Sequence, residues 1–164
     1  MTSPYPNTIV GLLRIALGFT LFWAFLDKLF GLGFATQADK SWLDGTSPTA
    51  GFLGNAVSGP FAEYFRSLAG SAVVDWLFML GLALIGLSLI FGVAMKIAGY
   101  SGALLMLLMW LALLPPKNNP ILDEHIIYLL TFLFFARAPE VGDYLGLGKP
   151  WKKWKLIKKN SWLQ

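Results

Sequence analysis

The sequence predicts an all-α integral membrane protein, built as a four-transmembrane-helix bundle with a short amphipathic helix in the outer loop between helices 1 and 2. Its composition is the first reason: 56% of the 164 residues are hydrophobic and 13% are charged, whereas about a quarter of the residues of a soluble domain are charged. The second reason is that the chain contains several apolar stretches of about 20 residues, the length at which an α-helix crosses about 30 Å of hydrocarbon. Together these features are typical of a membrane protein.

Four such stretches are predicted to span the membrane. Segments 76–95 and 97–116 contain no charged residue and are the clearest spans. The first span has Arg14 near one end and Asp27 and Lys28 near the other, whereas the fourth keeps its charges in its first turns. The predicted organisation is a membrane domain at residues 1–138, with spans at residues 8–30, 71–95, 97–115 and 120–137 and an outer loop at residues 31–70, followed by a basic cytoplasmic tail at residues 139–164.

The distribution of positive charge predicts the orientation of this bundle. Lysine and arginine favour the cytoplasmic side of a membrane, so the basic tail is expected there, and four crossings place the N-terminus there as well. Next to a membrane helix, a segment that alternates lysine and tryptophan is expected to lie on anionic lipid rather than on nucleic acid. The chain is therefore expected in the plasma membrane with both termini cytoplasmic, and Arg14 is expected to reach lipid phosphate from the inner end of the first helix.

The outer loop contains one segment with helical periodicity. Glycine and proline divide residues 42–60 into turns, after which apolar residues recur at the spacing of one helix face. Pro60 suits the first helical position and Gly70 suits the end. This helix is too short to span, so it is expected to lie at the outer interface, either as a cap over the bundle or as a lid over a site. Its predicted apolar face consists of Phe61, Tyr64, Phe65 and Leu68.

Ionisable residues close to hydrocarbon depth are predicted to gather at the outer ends of the four helices, and such residues suggest function. On the fourth helix Glu124, His125 and Tyr128 share one face, whereas Asp123 would point about 200° away from His125. The preceding pair Asn119–Pro120 is typical of a helix start. The other three outer ends carry Asp27, Lys28, Asp75 and Trp110.

The residue types exclude several redox centres. The chain has no cysteine and one histidine, so it contains no disulfide, no thiolate intermediate, and no iron-sulfur or covalent c-type haem site. One histidine also cannot supply the paired imidazoles of a bis-histidine haem or metal site, and neither a metal nor a covalent cofactor is predicted. Any electron transfer must therefore use a diffusible cofactor, a substrate in contact with the bundle, or a partner subunit.

Five short motifs follow one another along the chain. They are an early "R...G" in the first helix, "DKLFG" at its outer end, "SWLDGTSPTAGFL" in the outer loop, "GLALIGLSLIFG" in the second helix and "NPILDEHIIYLL" opening the fourth. This order resembles the DoxX/DoxD family over about residues 8–138. The resemblance implies a four-helix membrane protein, and some members are subunits of thiosulfate:quinone oxidoreductase, which oxidises two thiosulfates to tetrathionate and passes the electrons to the quinone pool. Asp75 stands where many relatives have a glutamate.

The resemblance implies roles for the outer residues, with quinone as a substrate. A quinone needs an apolar slot, hydrogen-bond donors at its carbonyls and proton carriers near the surface, and a thiosulfate dianion needs cations. A partner subunit or a homo-oligomer is expected beside membrane lipid, since the chain has no redox centre of its own. The catalytic candidates are His125, Glu124, Tyr128 and Asp75. The substrate-binding candidates are Lys28, Asp27, Arg66, Lys117 and Trp110.

Other interpretations of the same residues stay open. The chain could be a non-catalytic structural or assembly subunit, whose bundle and basic tail dock a partner complex. A small-solute transporter is the weaker alternative, because the second and third helices contain almost no polar residue at the membrane midplane. Trp110 shares a helix face with Met106 and Met109, which fits core packing as well as contact with a quinone.

Overall fold

The computed structural model describes residues 7–117 and 119–163, which form helices joined by turns and loops. Its α-helices are α1 (Asn7–Phe30), α2 (Ala50–Asn55), α3 (Ala62–Ser67), α4 (Ala72–Phe91), α5 (Met95–Ala112), α6 (Glu124–Arg137), α7 (Gly148–Lys152) and α8 (Lys155–Lys159). Helices α1, α4 and α5 are long and apolar enough to cross a membrane. For the described residues this confirms the prediction of an all-α fold with helices able to span a membrane, and shows three such helices where four were predicted, since α6 has only 14 residues.

Two of the long helices end earlier than the apolar runs predict. Helix α4 ends at Phe91 rather than at residue 95, because Gly92 adopts a left-handed φ of 70° and closes the helix. Helix α5 ends at Ala112 rather than at residue 115, because Pro115 and Pro116 have no N–H with which to continue it. Hydropathy therefore locates these helices but not their ends.

Helices α1 and α4 pack antiparallel through glycine. A Cβ added at Gly18 would stand 2.8 Å from the Cβ of Leu89, and one added at Gly86 would stand 2.8 Å from the backbone nitrogen of Phe22. Glycine therefore lets the two backbones approach more closely than any side chain would allow. Helices α5 and α6 pack in the same manner, with Gly102 against the ring of Phe132.

The four longer helices enclose one apolar core. Phe132 and Phe135 of α6 are fully buried in it, so α6 belongs to the bundle although it is short. The core consists of Leu17, Leu21, Leu82, Ile85, Leu89, Met95, Ala98, Ala103, Met106, Phe132, Phe135, Ala138 and Val141.

The outward faces of these helices carry large apolar side chains. Such extended apolar surface is unusual on a soluble monomer, and it matches the hydrocarbon that helices of this length can cross. The exposed side chains include Ile9, Leu12, Leu13, Phe19, Val73, Leu77, Leu80, Leu84, Leu104, Leu107, Leu108, Ile127 and Leu130.

The two ends of the bundle differ, and we name them the loop end and the turn end. The loop end carries residues 31–71, the end of α5 and the start of α6. The turn end carries the first half of α1 with Arg14, the short turn between α4 and α5 with the first turn of α5, the last turn of α6, and residues 138–163.

Helices α2 and α3 form a cap on the loop end. Leu53, Val57 and Phe65 bury against Ala112 at the end of α5, in a small apolar core of their own. The helix predicted after Pro60 is present, but its predicted face is only partly buried, since Tyr64 is 66% exposed. This packing fits the cap rather than the lid.

Helix α2 occupies residues that the sequence assigned to turns. Gly51 and Gly54 indicated turns, yet both lie within the helix and a Cβ at either position would meet open space. Burial of Leu53 in the cap stabilises the helix, and packing of this kind overrides the low helix propensity of glycine.

At the turn end, Arg14 does not reach lipid, and that prediction is wrong. Its side chain is fully buried. The guanidinium donates to the carbonyl oxygens of Leu89 and Ile90 at the end of α4, and to those of Tyr144 at 2.8 Å and Leu145 at 3.2 Å. Within a membrane, backbone carbonyls are common partners of a buried arginine.

The compact unit continues beyond the predicted boundary at residue 138. Val141 is fully buried in the main core, and the backbone of Gly142 lies so close to Gly92 that a Cβ at either position would clash. The lysine-rich helices α7 and α8 follow only after this packed segment.

Candidate functional site

The segment before α6 forms a turn of its own, and the predicted start at Asn119–Pro120 is wrong. The Asn119 side-chain oxygen accepts from the backbone N–H groups of Ile121 at 3.0 Å and Leu122 at 3.1 Å. Short polar side chains often bond neighbouring backbone in this way and so compete with a helix. Helix α6 therefore begins four residues later than predicted, at Glu124.

Asp123 is the N-cap of α6. Its backbone is extended, with φ −135° and ψ −172°, and its Oδ1 accepts from the N–H of His125 at 3.0 Å and of Ile126 at 3.4 Å. An aspartate at this position satisfies free N–H groups of the first turn and its charge favours the positive end of the helix dipole. These bonds hold the Asp123 carboxylate over the first turn of α6.

The same carboxylate also bonds the imidazole of His125. Asp123 Oδ2 lies 2.9 Å from His125 Nδ1, and the two side chains are 11% and 13% exposed. The prediction that Asp123 points away from His125 is wrong, because it assumed that both residues are helical. With a proton on Nδ1 donated to the carboxylate, Nε2 is the nitrogen left for a substrate.

Glu124 and Tyr128 flank this pair on α6. Glu124 is exposed and Tyr128 is 38% exposed, so both side chains lie open at the surface of the bundle. Ligand atoms of Asp123, Glu124 and His125 lie within 4.8 Å of one another, close enough to surround one metal ion. In this structure the Asp123 oxygens accept from two backbone amides and contact the imidazole, and these bonds account for the positions of Asp123 and His125.

Asp75 binds the loop of residues 31–49 between α1 and α2, which we name the cap loop. It does not join the cluster at the start of α6. It is 6% exposed, and its Oδ1 accepts from the hydroxyls of Ser47 at 2.8 Å and Thr49 at 2.5 Å. Beside it, the rings of Trp42 and Trp76 meet edge to face at 4.7 Å. The arrangement fastens the loop before α2 to the start of α4.

Asp27 and Lys28 lie at the end of α1 where the chain enters the loop. Asp27 is 2% exposed and accepts from the backbone N–H of Phe34 at 3.2 Å, within the loop that follows α1. Among the described residues its Oδ2 has no partner. The backbone carbonyl of Lys28 accepts from the N–H of Trp42 at 2.9 Å, so this end of α1 also holds the cap loop.

The remaining substrate-binding candidates, Trp110, Arg66 and Lys117, lie in three separate places. Trp110 Nε1 donates to the carbonyl of Ile121 at 3.1 Å and thereby joins the end of α5 to the segment before α6. Arg66 donates to the carbonyl of Val57 within the cap at 3.2 Å. Lys117 is exposed. The sequence missed the role of Arg14, although an arginine inside an apolar span between Gly11 and Gly18 was a sign of burial against backbone.

Comparison with known proteins gives no relative to set beside this geometry: no family model, no curated protein and no solved structure matches the chain.

Proposed function

We propose that the protein is the quinone-interacting membrane subunit of a DoxX/DoxD-type oxidoreductase and that His125 contacts the quinone. The observation that carries this proposal is the 2.9 Å contact between Asp123 Oδ2 and His125 Nδ1. A carboxylate in this position orients an imidazole and selects its tautomer. Glu124 and Tyr128, which are exposed on the same helix, supply a carboxylate and a hydroxyl for proton exchange.

The proposed reaction is the reduction of quinone to quinol, which takes up two electrons and two protons. The electrons come from two thiosulfate ions, which join through a new S–S bond to form tetrathionate. Since the chain has no cysteine and one histidine, a partner subunit holds the centre that relays the electrons. In this step His125 carries a proton on both ring nitrogens: Nδ1–H donates to Asp123, and Nε2–H donates to one quinone oxygen and passes its proton there. The second proton reaches the other quinone oxygen from water through Glu124 and Tyr128.

The proposal includes four membrane spans with both termini in the cytoplasm. Helix α6 packs along α5 and buries Phe132 and Phe135 in the shared core. Its 14 residues cover about 21 Å, and residues 119–123 extend this path to the loop end. Nine of the 13 lysines and arginines, but only two of the nine acidic residues, belong to the turn end, which supports a cytoplasmic turn end.

Thiosulfate-dependent quinone reduction in membranes that contain the intact chain and its partners tests the proposal. His125→Ala is expected to lower the rate about 100-fold, which is the lower end of the range typical of losing a general acid or base. Asp123→Asn keeps a good N-cap but removes the charge, so it is expected to lower the rate without unfolding α6. Glu124→Gln is expected to have the smallest effect of the three, since water can replace an exposed proton carrier.

Thr131→Ala is the matched control. Thr131 lies two turns further along α6 and bonds only the carbonyl of Ile127, so this variant is expected to keep the native rate. Native rates in His125→Ala, Asp123→Asn and Glu124→Gln together would overturn the assignment of the site.

One observation favours an assembly subunit as the second candidate. Arg14, Asp75 and Trp110 all bind other parts of the same chain, so these side chains stabilise the fold and are not free to contact a substrate. In that case His125→Ala would leave quinone reduction unchanged, and removal of residues 149–163 would release the partner subunits on purification. The two candidates therefore give opposite results in the same membranes.

A further inference from the structure

A cavity with polar walls lies at the turn end, at the opposite end of α6 from Glu124. It has a volume of about 280 Å³ and lies between the first turn of α5, the last turn of α6 and the C-terminal turn at Ser161–Leu163. Its walls are Lys96, Tyr100, Ala136, Arg137, Ser161 and Trp162. We propose that this cavity binds the headgroup phosphate of an anionic phospholipid.

Two cations line this cavity, and neither forms an ion pair with another described residue. Within residues 7–117 and 119–163, ion pairs join only His125 to Asp123 and Lys152 to Asp143, so neither Lys96 nor Arg137 forms one. Lys96 Nζ donates to the carbonyl of Ser161 at 2.7 Å, which positions the ammonium and leaves two of its three N–H groups for a ligand. Arg137 is exposed and adds a planar donor group that suits phosphate.

The aromatic walls place the cavity at headgroup depth. The rings of Tyr100 and Trp162 lie 5.7 Å apart, and Trp162 is 64% exposed. Tyrosine and tryptophan collect where hydrocarbon meets water. A headgroup would therefore sit between two cations and two aromatic rings.

The surface of α5 supplies a path for an acyl chain and so favours a lipid over free phosphate. Ile97, Leu104 and Leu108 are 41%, 57% and 43% exposed. With Tyr100 they fall at i, i+3, i+7 and i+11, along one side of the helix. This apolar stripe starts beside Lys96 and runs towards the loop end, which is the direction that an acyl chain takes from its headgroup.

The inference rests on the membrane setting and not on the quinone reaction. Basic pockets between membrane helices on the cytoplasmic side are suited to anionic headgroups. Loss of quinone reduction would therefore leave this site in place, and loss of this site need not change the chemistry at His125.

Native mass spectrometry of the full chain in detergent tests the proposal with phosphatidylglycerol as the probe and phosphatidylcholine as the comparison. The native chain is expected to retain one phosphatidylglycerol. Lys96→Gln combined with Arg137→Gln is expected to weaken this binding about 30-fold, from the usual contribution of each basic residue near anionic lipid. Lys96→Arg combined with Arg137→Lys keeps both charges and is expected to restore most of it.

The matched control removes the same charge outside the cavity. Lys155 and Lys158 are exposed on α8, and Lys155→Gln combined with Lys158→Gln is expected to retain the lipid as the native chain does. Equal losses in both double variants would overturn the proposal in favour of general attraction to a basic surface. Equal retention of phosphatidylcholine, or displacement of the lipid by inorganic phosphate alone, would also overturn it. Helical circular dichroism of each variant verifies that the fold is intact.

Discussion

Arg14 joins three parts of the chain through one side chain. Its guanidinium donates to carbonyls at the end of α4 and in the segment after α6. Arg14→Met fills similar space but removes the guanidinium that donates to these carbonyls. We expect the free energy of unfolding to fall by about 3 kcal/mol or more, since each hydrogen bond to a charged group contributes about 1.5–3 kcal/mol.

Unfolding in detergent, followed by circular dichroism, measures this effect. Arg66→Met is the control, because Arg66 is exposed and makes a single bond within the cap. If both variants unfold at the same denaturant concentration, the hydrogen bonds of Arg14 do not stabilise the fold as its geometry indicates.

Asp75 gives a second test at the scale of one residue. Asp75→Leu leaves the hydroxyls of Ser47 and Thr49 without their acceptor, and we expect a loss of about 1–3 kcal/mol. Asp75→Asn keeps an acceptor oxygen and should lose less. Hydrogen exchange over residues 41–53 is the measurement, and faster exchange in Asp75→Leu is expected. Unchanged exchange, together with loss of quinone reduction in Asp75→Asn, would instead favour the catalytic role.

The sequence located the titratable residues of the candidate site but not the contacts that these residues make. The α6 start was identified from its titratable residues, but the Asp123–His125 contact was missed because a helical wheel assigns an angle to a residue that is not helical. Arg14 was misplaced because two of its partners, Tyr144 and Leu145, lie 130 residues or more away along the chain. A hydrogen bond between a side chain and backbone far away along the chain produces no periodic pattern in the sequence.

At the scale of helices, close backbone approach decides which glycines matter. Gly86 faces α1, where a Cβ would stand 2.8 Å from the Phe22 nitrogen and 3.0 Å from the Gly18 oxygen. Both are backbone atoms, so Gly86→Ala must push the helices apart. We expect a loss of about 1–3 kcal/mol, the usual cost of overpacking, in the same detergent unfolding measurement.

Gly81 in the same helix provides the matched control. A Cβ there would meet nothing within 4 Å, so Gly81→Ala should be neutral or stabilise α4 by up to about 1 kcal/mol through helix propensity. The opposite order of the two variants would contradict the α1–α4 packing.

The same comparison explains which helices could be predicted. The uninterrupted apolar runs at 76–95 and 97–116 predicted α4 and α5. Helix α2 could not be predicted, since its six residues contain two glycines and depend on the packing of Leu53 in the cap. Long helices are encoded by composition, whereas short ones depend on the surface beneath them.

At the scale of the whole molecule, charge separates the two ends. Nine of the 13 basic residues belong to the turn end, and the apolar faces of α1, α4 and α5 lie between the ends. Three helices are long enough to cross a membrane, and the membrane topology depends on whether α6 crosses as a fourth. With four crossings Lys117 and Lys155 lie on opposite sides, whereas with three they lie on the same side.

The absence of native cysteine makes this difference measurable with single cysteines. Lys40→Cys, Lys117→Cys and Lys155→Cys each replace an exposed lysine. In intact cells, a membrane-impermeant maleimide is expected to label Lys40→Cys and Lys117→Cys, and to label Lys155→Cys only after the membrane is opened. Labelling of Lys155→Cys in intact cells together with Lys117→Cys would mean that α6 does not cross. Arg137 and Ser161 would then lie on the opposite side of the membrane from Lys96, so the cavity that they share could not form and the proposed lipid site would be wrong.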